Sequence, residues 1–183
     1  MRIISGNYKG RRITAPKKLP VRPTTDMAKE ALFNIINNRY YFEDISILDL
    51  FSGTGNISFE FASRGVKNII AVDQHSGCAQ FISKTSEELK FDISVIKSDV
   101  FKYLSKAHFK SDIIFADPPY NFNQEQFGKI PQLVFENSLL RENGMLIIEH
   151  SEQTDLSKML YYSESRKYGG NVFSFFELEN NLI

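Results

Sequence analysis

The chain of 183 residues has one cysteine, no tryptophan, no net charge and no long apolar run. The single Cys78 excludes an intramolecular disulfide and is typical of a reducing compartment. No run approaches the roughly 20 apolar residues of a membrane-spanning helix. Residues 1–12 are basic but lack the apolar core of a signal peptide, so we expect a cytoplasmic protein. The three histidines have no metal-site spacing, and we expect no bound metal.

The chain does have enough apolar surface for a core, and its charge is unevenly distributed. Hydrophobic residues make up 42%, with 16 Phe and 8 Tyr, which argues against disorder and suits one domain with at most a small appendage. Residues 1–25 hold seven Lys or Arg and no acid, so the rest of the chain has 15 basic and 22 acidic residues. The basic segment suits phosphate binding, although a solvated lysine-rich face would have the same composition.

Hydrophobic periodicity predicts a basic extension followed by alternating strands and helices. Residues 1–22 alternate short apolar pieces with glycine and proline, as in a small hairpin or an extended arm. N-cap residues and apolar residues at helical spacing predict a helix over residues 26–38. The predicted strands are 47–51, 68–73, 93–97, 112–116 and 145–149, and the predicted helices between them are 55–64, 77–90, 100–107 and 125–141.

The same pattern predicts an α/β fold. Short apolar strands that alternate with helices indicate a parallel sheet covered on both faces. Residues 161–168 and 172–179 flank a diglycine, which predicts a terminal antiparallel hairpin. The expected architecture is Rossmann-like, with a mainly parallel sheet of seven strands. We divide the chain into a basic arm with its helix, residues 1–40, which packs on the core, and a cofactor-binding domain, residues 41–183.

Residues 49–55, the glycine loop, follow the first predicted strand and indicate a nucleotide-like cofactor. Gly53 and Gly55 let the backbone approach a ligand beside a helix N-terminus. Asp73 ends the second strand, 20 residues after Gly53, where an acid can accept hydrogen bonds from a ribose diol. Ser58 stands where a dinucleotide loop has its third glycine, and Asp49 would repel a pyrophosphate but suits a cationic amino group. These features favour S-adenosylmethionine over NAD.

Residues 117–120, the acceptor loop, have the sequence Asp-Pro-Pro-Tyr and suit a flat amine. Asp117 and the Pro118 carbonyl can each accept a hydrogen bond from an NH₂ group, and Pro119 fixes the direction of that carbonyl. Tyr120 offers a ring on which a base can stack. Methyl transfer from a sulfonium needs alignment rather than a nucleophilic side chain. An ordinary proline turn is the alternative, but the full motif, 64 residues after Gly53, favours methyl transfer.

With these residues in view, the chain resembles the bacterial 16S rRNA guanine-N2 methyltransferase family of the RsmD type. The matching motifs comprise residues 1–6, 9–12, 22–26, 30–34, 49–55, 63–65, 117–120 and 167–169. The N-terminal motifs discriminate, because many amino-methyltransferases share the two loops. The resemblance implies a class I S-adenosylmethionine-dependent methyltransferase, which modifies the 2-amino group of a guanine in the rRNA of the small subunit or of an assembly intermediate.

The resemblance also implies roles for individual residues. The catalytic contacts are assigned to Asp117, Pro118, Pro119 and Tyr120. The cofactor contacts are assigned to Asp49, Phe51, Ser52, Gly53, Gly55, Asp73, Gln74, Asp99 and Val100. Asp99 would accept from the adenine amine, or would instead cap the following helix. The RNA contacts are assigned to Arg2, Lys9, Arg11, Arg12, Arg22 and Thr24, and Arg22 at a helix entry could equally pair with an acid.

Other functions stay open from the residues alone. An amine methyltransferase for adenine N6 or protein glutamine N5 would use the same loops, but glutamine enzymes usually carry Asn in place of Asp117, and DNA enzymes usually add a recognition insert. An RNA-binding module with a dead site would have lost Asp117 or the glycines. His150 ends the fifth strand, where it either lines the site or is a structural histidine. We expect the protein to be a monomer.

Overall fold

The computed structural model describes residues 1–19 and 24–178. These residues form the helices α1 Asp26–Asn37, α2 Asn56–Ser63, α3 Ser76–Leu89, α4 Val100–Leu104 and α5 Gln124–Glu136. They also form the strands β1 Ser46–Leu50, β2 Asn68–Asp73, β3 Ile93–Lys97, β4 Ser111–Ala116, β5 Leu140–Ser151, β6 Tyr162–Tyr168 and β7 Asn171–Phe176. Among the helices of these residues, none is long and apolar enough to cross a membrane.

The strands form one sheet in the order β3-β2-β1-β4-β5-β7-β6. The strands β1 to β5 pair in parallel, and β7 runs antiparallel between β5 and β6. This arrangement confirms the predicted Rossmann-like α/β fold with a terminal hairpin. The strand order reverses between β1 and β4, and such a switch point leaves a crevice at the carboxyl ends of the strands. The topology therefore positions a ligand site just beyond Leu50 and Ala116.

The central strands divide the apolar core into two layers, because successive side chains point to opposite faces. Ile47, Ile113 and Ile147 belong to the layer that packs against α1 and α2. Their neighbours Leu48 and Ile114 belong to the layer that packs against α4 and α5. Both faces are covered, so β1 is buried along its whole length. Odd-numbered residues at the ends of β1, β4 and β5 therefore share the face of α1 and α2.

Some predicted boundaries were wrong, because local caps end two helices early. α5 ends at Glu136 rather than at 141, since the Asn137 side chain donates to a carbonyl of the last turn and Ser138 adopts a φ of 51°. α4 ends before Ser105 rather than at residue 107. The Ser105 hydroxyl donates to the Phe101 carbonyl in the helix at 2.8 Å. The shorter α5 makes room for a longer β5, which spans Leu140–Ser151 instead of 145–149.

The first 13 residues form a hairpin that is anchored on α2. Arg2 and Arg12 form an antiparallel bridge. The buried carboxylate of Glu60 accepts from two hairpin N–H groups, at 2.8 and 3.0 Å. Gly6 has a φ of +81°, and a Cβ there would lie 1.8 Å from the carbonyl oxygen of Ser63. Glycine is therefore required where the hairpin backbone approaches the end of α2.

A buried lysine completes this anchor. Lys29 of α1 is 1% exposed, and its ammonium donates to the Arg2 carbonyl at 2.7 Å and to Asn56 Oδ1 at 2.9 Å. It also lies 3.3 Å from the Glu60 carboxylate, which pairs with Arg64 at 2.9 Å. Burial lowers the pKa of Lys29, although the charge of Glu60 opposes that change. The hairpin, α1 and α2 thus share one buried polar network.

Candidate active site

A cavity of about 770 Å³ lies at the carboxyl ends of β1, β2 and β4. Both loops singled out in the sequence contribute to its walls, although they are far apart along the chain. The predicted site residues that line it are Thr24, Asp49, Phe51, Ser52, Gly53, Asp73, Gln74, Asp117, Pro118, Pro119 and Tyr120. A volume of this size suits a ligand as large as a nucleoside. The fold therefore brings most of the predicted cofactor and catalytic residues together.

Left-handed backbone conformations shape the glycine loop. Phe51, Gly53 and Gly55 have φ angles of 55°, 53° and 77°. Two of these three positions hold glycine, which adopts such angles without steric cost. A Cβ on Gly55 would lie 2.9 Å from Ile82 Cγ1, so this glycine is needed for packing at the start of α2. Gly55 does not line the cavity, whereas Gly53 does. The missing side chain of Gly53 leaves its backbone open to a ligand.

Asp73 fixes the glycine loop from the end of β2. Its Oδ2 accepts a hydrogen bond from the Gly53 N–H, and its Oδ1 accepts one from the His75 N–H, both at 2.8 Å. A carboxylate has about four acceptor positions, so Asp73 retains capacity for a ligand hydroxyl. Its predicted contact with a ribose diol stays a prediction, and the geometry is compatible with it.

Asp49 lies in the cavity wall at the end of β1. Its carboxylate is 1% exposed and accepts from the Ser58 hydroxyl at 2.5 Å and from the Ser58 N–H at 3.2 Å. The pKa of Asp49 is raised to about 7, mainly because the carboxyl group is buried. The hydrogen bonds from Ser58 oppose that rise, and the nearby charge of Asp73 adds to it. The contact also explains the serine at the position of a third glycine, because Ser58 binds the acid of the preceding strand.

Two predicted cofactor residues lie away from this cavity. Asp99 is the N-cap of α4, and its carboxylate accepts from the Lys102 N–H at 2.8 Å. Val100 is buried in the apolar layer beneath α4 and α5. Neither residue lines the cavity. The capping role, which the sequence left open for Asp99, is the contact found in the structure, and a contact with an adenine amine stays a prediction.

The acceptor loop forms the opposite wall of the cavity. The Asp117 N–H donates to the Leu50 carbonyl at 3.3 Å, which joins the end of β4 to the end of β1. Pro118 is buried, whereas Pro119 is exposed and Tyr120 is half exposed. The loop therefore presents a carboxylate inside the cavity and an aromatic ring at its rim.

Sequence reasoning missed Glu149, which lies beside Asp117 at the end of β5. Its side chain is 2% exposed, and its carboxylate accepts from the Thr24 hydroxyl at 2.8 Å and from the Asn171 amide. Burial, and then the charges of Glu149 and Asp49, raise the pKa of Asp117 well above its ordinary value. The signal available in the sequence was an acid at the end of an apolar strand in a parallel sheet.

His150 belongs to the core rather than to the cavity. Its Nε2 lies 2.8 Å from the Ser174 hydroxyl and its Nδ1 lies 2.9 Å from the Ser151 carbonyl, while Phe127 packs edge-on against its ring. Burial lowers its pKa, so the ring is neutral near pH 7. Of the two roles that the sequence left open for His150, the structure therefore supports that of a structural histidine. In the described part of the chain, no cluster of three acidic, His or Cys side chains could hold a metal ion.

The basic side chains of the hairpin lie next to the candidate site. Lys9, Arg11 and Arg12 are exposed. Arg11 and Arg12 also line a second cavity of about 790 Å³ between the hairpin and α3. This second cavity shares His75 with the first one. A chain of phosphates leaving the first cavity would therefore meet cations along this edge of the protein.

The other predicted RNA contacts are placed differently. Arg2 pairs with Asp26 at 2.9 Å and remains half exposed. Thr24 lines the first cavity, but its hydroxyl donates to Glu149. Arg22, like the rest of the predicted arm from residue 20 to residue 22, lies outside the described residues.

Comparison with known proteins assigns the chain to a family. The family model described as Conserved hypothetical protein 95 matches residues 1–177. The chain belongs to this family. One relative, the Ribosomal RNA small subunit methyltransferase D of Buchnera aphidicola subsp. Baizongia pistaciae, is 31% identical over 161 residues, covering 87% of this chain and 80% of that protein. The Haemophilus influenzae protein of the same name is 30% identical over 163 residues, with coverages of 85% and 81%. The resemblance inferred from the motifs is confirmed.

Solved structures share the fold. A Thermus thermophilus protein described as hypothetical aligns with a TM-score of 0.84 at 23% identity, over 97% of this chain and 99% of that chain. A Thermus thermophilus 16S rRNA guanine-N2 methyltransferase in complex with AdoMet and guanosine aligns with a TM-score of 0.67 at 18% identity, over 87% of this chain and 45% of that one. At these identities the likeness shows the architecture alone.

Proposed function

We propose that this protein transfers a methyl group from S-adenosylmethionine to the 2-amino group of a guanine in 16S rRNA. The observation that carries the proposal is the single cavity walled by both the glycine loop and the acceptor loop. Membership of a family with relatives named ribosomal RNA small subunit methyltransferase D supports the substrate class. We further propose that the protein acts in the cytoplasm as a monomer, on the small ribosomal subunit or an assembly intermediate.

The glycine-loop side of the cavity fits S-adenosylmethionine in shape and charge. Gly53 leaves its backbone accessible beside Asp73, an arrangement suited to a ribose diol. Asp49 offers a buried carboxylate to a cationic ligand, and Ser52 and Gln74 supply further polar groups in the wall. When bound, this donor supplies an electrophilic methyl group on a positively charged sulfur, so the protein needs no nucleophilic side chain.

The acceptor loop is suited to a planar amine. The Asp117 carboxylate and the Pro118 carbonyl can accept the two hydrogens of an NH₂ group, which favours the charge that develops on nitrogen during methyl transfer. Pro119 restricts the backbone that carries the carbonyl. The ring of Tyr120, half exposed at the rim, offers a stacking surface worth about 1–3 kcal/mol for a base. A guanine must leave its helical stack to reach this position.

The hairpin supplies the means to bind the rest of the RNA. Lys9, Arg11 and Arg12 are exposed, and Arg11 and Arg12 line the second cavity, which shares His75 with the first. Cations at such positions hold a nucleic acid through its phosphates without reading its sequence. The buried anchor of the hairpin on Glu60 keeps these cations in a fixed relation to Asp117. Together these contacts support a structured RNA substrate over a free nucleoside.

The test is nucleoside mass spectrometry of rRNA from cells with the protein, without it, and with the Asp117→Ala variant. We expect the N2-methylguanosine content of 16S rRNA to be higher with the wild-type protein than without it or with the Asp117→Ala variant. Purified protein, radiolabelled donor and small subunits should reproduce the modification in vitro. Loss of N6-methyladenosine instead, with 16S N2-methylguanosine unchanged, would contradict the proposed substrate.

A further inference from the structure

Acids end three adjacent strands on the same face of the sheet. Asp49 follows Leu48 in β1, Asp117 follows β4, and Glu149 lies near the end of β5. In the parallel register Ala116 pairs with Ile148, so the next residues, Asp117 and Glu149, are neighbours across the two strands. Since odd-numbered residues face α1 and α2, the three carboxylates lie together under the start of α1.

Glu149 is held from two sides. Both of its oxygens accept hydrogen bonds, one from the Thr24 hydroxyl at 2.8 Å and the other from the Asn171 amide. Thr24 directly precedes the cap of α1, and Asn171 is the first residue of β7, so the two donors come from distant parts of the chain. These hydrogen bonds favour the charged form of the carboxylate and fix its orientation.

We propose that Glu149 is a positioning residue whose fixed negative charge beside Asp117 makes Asp117 a stronger acceptor for the proton that the substrate amine loses. In the reaction the lone pair of the amine forms the N–CH₃ bond, and the electrons of the S–CH₃ bond pass to sulfur. One N–H proton moves to an Asp117 oxygen, which later releases it to water. The identity of the amine as guanine N2 rests on the proposed function.

The charges around Asp117 agree in sign. Glu149 faces it from β5 and Asp49 from β1, and both act with burial to raise the pKa of Asp117. Burial also raises the pKa of Glu149, while Thr24 and Asn171 oppose that rise. Among residues 1–19 and 24–178, no Lys or Arg forms an ion pair with any of these three acids. After burial, the Glu149 carboxylate is therefore the largest influence on the acceptor carboxylate.

The first test is the pH profile of kcat/KM for Glu149→Gln, with the exposed Glu142→Gln on the same strand as the matched control. Asp117 must be deprotonated to accept, so wild-type activity should rise as pH rises through its pKa. Removing the Glu149 charge should move this acid limb to lower pH. It should also lower kcat on the plateau by about tenfold, a fraction of the 10²–10⁴ that a complete general base contributes.

A purely structural role predicts a different outcome. Glu149→Gln and Thr24→Val would then both lower the melting temperature and reduce activity at every pH, with the acid limb unmoved. That result would overturn the proposal. Thr24→Val loosens the Glu149 carboxylate but keeps its charge. If the role is positional, this variant should lower kcat on the plateau of the pH profile. Its acid limb should stay nearer to the wild-type position than the acid limb of Glu149→Gln does.

A second readout needs no RNA and therefore separates this proposal from the substrate assignment. Calorimetry in two buffers of different ionisation enthalpy counts the protons released on binding. Wild-type protein should release more protons with cationic S-adenosylmethionine than with neutral S-adenosylhomocysteine, because the cation favours ionised Asp117. Glu149→Gln should lose most of this excess, and Glu142→Gln should retain it. An excess that persists in Glu149→Gln, or that disappears in Glu142→Gln, would overturn the proposal.

Discussion

The glycine loop and the acceptor loop face each other across one cavity, but the protein holds them by different means. A side chain fixes the glycine loop, because Asp73 accepts the N–H of Gly53 at 2.8 Å. Backbone contacts and two prolines fix the acceptor loop, because the Asp117 N–H donates to Leu50 at 3.3 Å. Changes to acceptor-loop side chains should therefore spare the fold and donor binding, whereas changes in the glycine loop should affect donor binding first.

Removing the acceptor carboxylate gives the largest expected effect. Asp117→Ala should reduce methyl transfer by about 10³-fold, because an aligned acceptor for the amine protons is lost. Binding of S-adenosylmethionine should survive, since the glycine loop is intact. Single-turnover assays and calorimetry measure the two quantities separately. The exposed Asp92→Ala serves as the control. A parallel loss of turnover and donor affinity would mean that the acceptor site has been misplaced.

A side chain on the glycine loop should produce the opposite pattern. Gly53 has a φ of 53°, and valine there would be strained and would cover the backbone that lines the cavity. We expect Gly53→Val to weaken S-adenosylmethionine binding by about 100-fold or more, which is about 2.8 kcal/mol. Gly170→Val, at a turn with open space around it, should bind normally. Normal binding by Gly53→Val in calorimetry would contradict the assignment of the loop.

The ionisation of Asp49, at the start of the glycine loop, should be visible in the pH dependence of stability. Its pKa is raised from 3.8 to about 7 in the folded protein, so the folded state holds a proton that the unfolded state has released. Its contribution to stability is therefore lost as pH rises from about 4 to about 7. Urea unfolding should show that Asp49→Asn removes roughly 2 kcal/mol of the stability difference between pH 5 and pH 8. An unchanged difference, or one equal to that of Asp92→Asn, would contradict this.

The smallest effect concerns the basic surface between the hairpin and α3. Arg11→Glu combined with Arg12→Glu should weaken binding to small subunits and reduce the salt slope by roughly 0.7–0.9 for each lost phosphate contact. Donor affinity should not change. Arg166→Glu on β6, at the far edge of the sheet, supplies a control in which one charge is reversed away from the hairpin. If the salt slope is the same in all three proteins, the cations of the hairpin form an ordinary solvated surface and do not contact phosphates.

The sequence could predict the features that depend on local chemistry. Gly53 and the two prolines indicate loops, and uniformly apolar strands indicate a parallel sheet that is covered on both faces. For that reason the chain alone could predict the mainly parallel sheet and its terminal hairpin. It could also predict the two loops that form the walls of the cavity. The serine at position 58 was noticed as a departure from a dinucleotide loop, but its contact with Asp49 depends on how α2 returns over β1.

The features that could not be predicted depend on which strands are neighbours. Glu149 matters because β5 pairs with β4 in a register that places it beside Asp117. Asp99 follows the edge strand β3, and its carboxylate caps α4, which is one of the two roles that the sequence left open for it. The end of α5 depends on the side chain of Asn137. The two caps are local contacts, whereas periodicity and motif spacing contain no information about the neighbour of Glu149, which is set only when β5 pairs with β4.

The central claim is that one cavity holds the methyl donor against the glycine loop while Asp117 holds the amine. The most direct measurement is a crystal structure of the protein with S-adenosylhomocysteine and guanosine. We expect the thioether sulfur to lie beside the acceptor loop, with the 2-amino group of guanosine donating to Asp117 and to the Pro118 carbonyl. A sulfur atom that is separated from Asp117 by the wall of the cavity, or a guanosine bound elsewhere, would contradict it.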